Sequence, residues 1–406
     1  MKPESKPAIL GGSLAFETKL PIVRPSLPPL DPLLEEARAI LASGQLTNGR
    51  YVRELEQRAA AWLGVPHCVA MSSCTSGLAL VLRALDLAGE VILPSFTFFA
   101  TAHAIVWNGL RPVFADCEAD SFNIDPGQVR ELVTPATSAI LAVHMYGNPA
   151  NTEALEKLAC ERGLKLIFDA AHAFGSRRAG RPVGGFGDAE VFSLSPTKLL
   201  VAGEGGLVAT RDAELAERLR AARNYGDSGT YDPVVLGLNA RMTEINALLA
   251  LHGLPGVEAQ VARRNAIARL FMEGLSTLPG VSFQKVRPQD VSTYKDFSTV
   301  VNAEQFGLDR DQLAAALTAE NIEVRKYFYP PVHEQALYRS YFRPDKDRLH
   351  ITEGISHNVL SFPIYASLSD EAAHRLIEAV RRVHAYRSDV KGAVFEGAKT
   401  AGASRS

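Results

Sequence analysis

Between residues 67 and 210 the chain alternates short apolar runs with longer amphipathic stretches, and this alternation restricts the fold more than any other feature. Residues 67–71, 90–93, 112–115, 138–143, 164–168, 189–192 and 207–210 read as seven strands. Helical patterns separate most of them, such as residues 153–162, with Thr152 as candidate cap and Gly163 as the stop. Such alternation predicts an α/β fold, a seven-stranded, mostly parallel sheet with helices on both faces. The link over 195–206 is too short and glycine-rich for a crossover helix, so the seventh strand is expected to run antiparallel.

Beyond residue 255 the pattern changes. A long helical stretch over 257–278 leads to strands near 281–283 and 297–301, then helices over 309–321 and 369–386. These predict a smaller C-terminal α+β domain. The expected organisation is a flexible leader over 1–20, a large domain over 21–255, a small domain over 256–390 and a flexible tail over 391–406. The apolar run 8–16 is broken by Gly11 and Gly12 and followed by Glu17, unlike a secretory signal, so a cytoplasmic protein is expected. No apolar stretch is long enough to span a membrane.

A formal charge of -2, from 43 basic and 45 acidic residues, argues against nucleic-acid and anionic-lipid partners. The four cysteines, Cys68, Cys74, Cys117 and Cys160, have neither C-x-x-C spacing nor scaffold density, so reduced thiols are expected and no metal site.

Ligands of parallel sheets bind beyond the carboxyl ends of the strands, and three of those ends carry polar groups. Residues 71–77 open a helix, where free amides with the hydroxyls of Thr75 and Ser76 can seat a phosphate or simply cap the helix. Residues 166–172 deliver Asp169, a carboxylate that needs a partner if buried: a protonated pyridine nitrogen, a metal or an arginine. His172 follows three residues later, where a histidine is more often structural than catalytic. Residues 192–198 place Lys198 after a strand and before the glycine-rich turn 203–206, where desolvation lowers an amine's pKa enough for Schiff-base chemistry. With Phe98 as an aromatic cover, this set suits pyridoxal 5'-phosphate.

Several ordered motifs carry a family resemblance. Residues 43–49 (SGQLTNG), 94–102 (PSFTFFATA), 169–175 (DAAHAFG), Thr197-Lys198 with 203–206 (GEGG), 237–244 (GLNARMTE) and 362–365 (FPIY) resemble the DegT/StrS family of pyridoxal phosphate-dependent sugar aminotransferases. The resemblance spans roughly residues 20 to 385. It implies a fold-type-I aminotransferase in which Lys198 joins the cofactor and shuttles protons while Asp169 pairs with the ring nitrogen. It further implies that Phe98 stacks on the ring, Thr75, Ser76 and Ser193 hold the phosphate, and His172 flanks the ring. Asn239 and Arg241 fall where the family reaches the phosphate of the neighbouring subunit, implying a homodimer with shared sites. Tyr327 and His333 fall where it meets its nucleotide-sugar.

The implied reaction moves an amino group from glutamate or glutamine to a nucleotide-linked keto-6-deoxy sugar at C4. Alternatives are a cyclitol ketone, an aminohydroxybenzoate precursor, or a regulatory protein that binds the cofactor or a sugar nucleotide without turnover. Three positions depart from the family pattern: Cys74 replaces glycine before the threonine, Ser195 replaces histidine before the lysine, and Gly89-Glu90 shortens an acidic motif. Retention of Lys198 favours transamination over dehydration. Ser195-Pro196-Thr197-Lys198 spells S-x-x-K and residues 226–229 spell GDSG, but the companion S-D-N and K-T-G motifs and the β-barrel pattern those signatures require are missing.

Overall fold

The computed structural model describes residues 5–343 and 348–394. The seven strands form at β1 (His67–Met71), β2 (Glu90–Pro94), β3 (Arg111–Ala115), β4 (Thr137–Val143), β5 (Lys165–Asp169), β6 (Ala189–Ser193) and β7 (Gly206–Thr210). They join in one sheet in the order β1-β7-β6-β5-β4-β2-β3. Strand β7 is antiparallel to both neighbours, and the other pairs are parallel.

Both sheet faces are covered, which is why the strands read as continuous apolar runs. Ile140, Phe168, Phe192 and Leu207 enter one core, and their neighbours Leu141, Ile167, Val191 and Val208 enter the other. Gly206 lies opposite Met71, where an added Cβ would stand 2.6 Å from the backbone of Ser73. Only glycine lets the helix after β1 begin this close to the sheet. The helix Thr152–Arg162 ends at Gly163 as expected, but its cap is Asn151, whose side chain accepts from the Ala154 amide, rather than Thr152.

The smaller unit is a three-stranded antiparallel sheet of β8 (Val281–Phe283), β9 (Phe297–Val301) and β10 (Val359–Phe362), packed against the helices Arg310–Ala319 and Asp370–Ala385. One helix, Val257–Leu275, serves both cores: Val257 and Val261 pack with the large sheet, Phe271 and Leu275 with the small one.

The flexible leader expected over 1–20 is corrected for its described part. Phe16 and Leu20 are buried in the small core, and the buried carboxylate of Glu320 accepts from the amides of Ala8 and Ala15 at 2.9 and 2.8 Å. Two apolar anchors and a buried acceptor hold the segment where local sequence gave no periodic pattern. Of the tail expected over 391–406, residues 391–394 are helical and Val394 packs on the small core; 395–406 lie outside the described residues. No helix among the described residues is long and apolar enough to cross a membrane.

Candidate active site

The carboxyl ends of β1, β5 and β6 open on a cleft of about 290 Å³ that gathers Thr75, Phe98, Asp169, His172, Ser193, Lys198 and Tyr327. Asp169 is the last residue of β5 and only 5% exposed. Its Oδ2 accepts from the Thr101 hydroxyl at 2.7 Å and its Oδ1 from the Ala171 amide at 3.0 Å. Burial pushes its carboxyl above the usual range, while these two donors and the Lys198 cation act in the opposite sense.

Lys198 sits in the turn after β6, with its amide bonded to the Ser195 carbonyl at 3.0 Å. Burial, helped by the nearby Lys295 cation, lowers its amine to about 8, against the pull of Asp296, Cys74 and Asp169. About a tenth of this lysine is therefore neutral, and nucleophilic, at pH 7, far more than of an ordinary lysine. His172 stacks parallel to Phe328, ring centres 6.2 Å apart, and burial drives its pKa well down. Its Nδ1 is buried without a hydrogen-bond partner.

Thr75 lies in the first turn of the helix Cys74–Ala84, whose leading amides have no intrahelical acceptor. Ser76 does not line the cleft. It completes a capping box: its amide donates to the Ser73 hydroxyl, while its own hydroxyl accepts from the Ser73 amide at 3.1 Å. Capping accounts for Ser76, and the phosphate-seat expectation is corrected there. Phe98 keeps 45% of its surface exposed at the cleft rim, and Ser193 closes β6. Cys74 is a buried wall residue with its thiol pushed well up by desolvation.

Three expected residues lie elsewhere. His333 is 2% exposed and does not reach the cleft; its Nδ1 bonds the Ser95 hydroxyl at 2.7 Å, and its amide donates to the same oxygen at 3.1 Å, tying its loop to the end of β2. Its expected substrate contact is corrected for this cleft: Nδ1 and the backbone amide are engaged by Ser95, and Nε2 faces Glu353 at 3.4 Å, away from the cleft. Asn239 is exposed, and Arg241 donates to Asn224 at 2.6 Å with its guanidinium 5.2 Å from the Tyr225 ring centre; neither lines this chain's own cleft. Asp227 of the GDSG run accepts from the amides of Gly229, Thr230 and Tyr231 as an ordinary turn.

Sequence reading missed Thr101, Phe328, Lys295 and Asp296, which also shape the site. Thr101 stood within a recognised motif, one helical turn beyond Phe98. The other three come from outside the large sheet, where no local pattern marks them.

A flat aromatic phosphate ester with a basic ring nitrogen fits this donor set. A helix start with Thr75 faces the cleft at one end, a buried carboxyl accepts from two donors, an amine is lowered to about 8, and the orphaned His172 Nδ1 is left for a partner. The model of the DegT/DnrJ/EryC1/StrS aminotransferase family matches residues 31–381. The chain belongs to this family. It is accordingly an aminotransferase of the pyridoxal phosphate-dependent kind, as its motifs implied. Among its relatives is the dTDP-4-amino-4,6-dideoxy-D-glucose transaminase of Escherichia coli, 36% identical over 356 residues, covering 87% of this chain and 95% of that protein. The dTDP-3-amino-3,4,6-trideoxy-alpha-D-glucose transaminase of Streptomyces venezuelae is 36% identical over 345 residues, covering 84% and 89%. A crystal structure of DesI in the presence of its TDP-sugar product superposes with a TM-score of 0.90 at 39% identity, covering 95% of this chain and 98% of that one.

Proposed function

We propose that this aminotransferase moves an amino group from glutamate or glutamine to C4 of a nucleotide-linked keto-6-deoxy sugar, with pyridoxal 5'-phosphate held between Asp169 and Lys198. The observation that carries the reading is their shared cleft: a buried carboxyl that accepts from two donors faces the same space as a buried amine poised near pH 8. Bound there, the cofactor supplies an electron sink for the substrate carbon that loses its proton. Asp169 holds the proton on the ring nitrogen. The amine of Lys198 takes the proton from one carbon and returns it to another. Thr75 and the first amides of its helix would hold the phosphate with Ser193 from β6, and Phe98 and His172 would flank the ring. Tyr327 faces the incoming sugar.

Amination at C4 is supported by the Escherichia coli relative, a dTDP-4-amino-4,6-dideoxy-D-glucose transaminase, whereas the Streptomyces relative is a 3-amino-sugar transaminase. We further propose a homodimer in which Asn239 and Arg241 complete the phosphate site of the second copy, since neither serves the cleft of its own chain. Reconstituted protein given glutamate should lose the absorbance of the loaded lysine and regain it on addition of a dTDP-linked 4-keto-6-deoxy sugar. Lys198→Ala should take up cofactor and fail in both steps; turnover by that variant rejects the assignment.

A further inference from the structure

Lys295 and Asp296 form part of the cleft wall from just before β9, and beyond the influence of their charges on Lys198 the chemistry above gives them no contact with substrate. Both are buried, 7% and 6% exposed, and Lys295 Nζ lies 2.8 Å from Asp296 Oδ1. Their backbone is held from two sides. The Lys295 amide donates to the Tyr146 carbonyl at 2.9 Å, while the buried guanidinium of Arg264 donates to the Lys295 carbonyl at 3.2 Å and to the Tyr294 carbonyl at 3.0 Å. The ammonium stands 5.3 Å from the ring centre of Tyr327.

The pair is incompletely satisfied. The second carboxylate oxygen of Asp296 is buried with no hydrogen-bond partner, and Lys295 has three N–H donors, of which Asp296 Oδ1 engages one. A group that completes such a pair must accept from an ammonium and donate to a carboxylate in the same place. A carboxylate or phosphate only accepts and meets the charge of Asp296; an ammonium only donates and meets Lys295. A hydroxyl does both, and a keto-hexose carries one beside its carbonyl.

We propose that Lys295 and Asp296 are specificity determinants that recognise the sugar hydroxyl adjacent to the reacting carbonyl, at C3 for amination at C4. This rests on the sugar-aminotransferase reading and extends it from the nucleotide-linked class to a 3-hydroxy acceptor. Since recognition engages the acceptor alone, it acts in the second half of the reaction and leaves the amino-acid half untouched.

The test uses the cofactor-loaded enzyme and follows each half-reaction by cofactor absorbance. The acceptors are dTDP-4-keto-6-deoxy-D-glucose and its 3-deoxy counterpart. Wild type should prefer the 3-hydroxy sugar at least about 10-fold, because a site built around a hydroxyl rejects the analogue that lacks it. Asp296→Asn and Lys295→Met should each lose roughly 10- to 100-fold more with the 3-hydroxy sugar than with the 3-deoxy sugar or with glutamate, the range expected for a charge-assisted hydrogen bond, on top of any common change that their charges impose through Lys198. Lys295→Arg, which keeps the donors, should retain the preference. Equal loss on both sugars, or a matching loss in the glutamate half-reaction, overturns the proposal and assigns the pair to Lys198 or to packing. So does a wild type indifferent to the hydroxyl. A wild type that responds to glutamate but to neither sugar instead removes the sugar reading beneath it.

Discussion

Asp169 shows how one residue's environment can work in two directions. Burial raises its carboxyl pKa, while Thr101 and Ala171, donating to its two oxygens, favour the anion and hold that rise in check. Thr101→Val removes one donor to the charged form, so the carboxyl pKa should rise. Activity that requires the anion is lost as pH falls through that pKa, so the acid limb of the profile should move to higher pH, with kcat lower by about 10-fold. Asp169→Asn, which keeps shape but not charge, should cost at least about 100-fold in kcat. For Lys198, lowered to about 8, the neutral amine gains as pH rises through that value. The rate at which cofactor-free protein reacts with pyridoxal phosphate should therefore climb and level off above about pH 8, whereas an ordinary lysine would keep rising to the usual 10.4.

Among the elements, two sequence motifs prove to be halves of one joint. The helix Arg50–Leu63 begins at Gly49, which has no side chain to cap it. The buried carboxylate of Glu244, from the second motif, accepts from the amides of Gly49, Tyr51 and Val52 at 2.8, 2.9 and 3.1 Å, and its own amide donates to the Leu46 carbonyl at 2.8 Å. A negative charge at a helix start opposes the positive end of its dipole. Glu244→Gln should lower unfolding free energy by about 1–3 kcal/mol, read as an earlier urea midpoint at unchanged m-value. Glu320 has the same office for the N-terminal segment, adding Arg382 at 2.6 Å as a third donor. These joints explain which elements were legible. Strands and long helices carry their period in neighbouring residues, so their extents could be read from the chain. The N-terminal segment is ordered by residues some 300 positions away, and no local pattern could announce that.

At the scale of the whole molecule, the segment bearing Asn239 and Arg241 exposes Val234, Leu236 and Leu238 together. Adjacent exposed apolar side chains of this kind mark interaction surfaces, which supports the proposed dimer. Mixing inactive Lys198→Ala and Arg241→Ala chains by reversible denaturation should restore roughly a quarter of wild-type activity, because half the dimers are mixed and each then holds one intact site. No recovery would mean that each chain completes its own site.

From its order of residues alone, the chain determined the sheet, its one antiparallel strand, and the arrival of Asp169, His172, Ser193, Lys198 and Thr75 at the same edge. That follows because parallel strands ending on one side of a sheet deliver whatever their last residues carry. Tertiary structure decided the rest. It withdrew His333 to Ser95, tied down the N-terminal segment, and brought Thr101, Lys295 and Asp296 to the cleft. Those outcomes depend on which distant groups compete for the same hydrogen bonds and the same space, a contest settled only when segments far apart in the chain pack together.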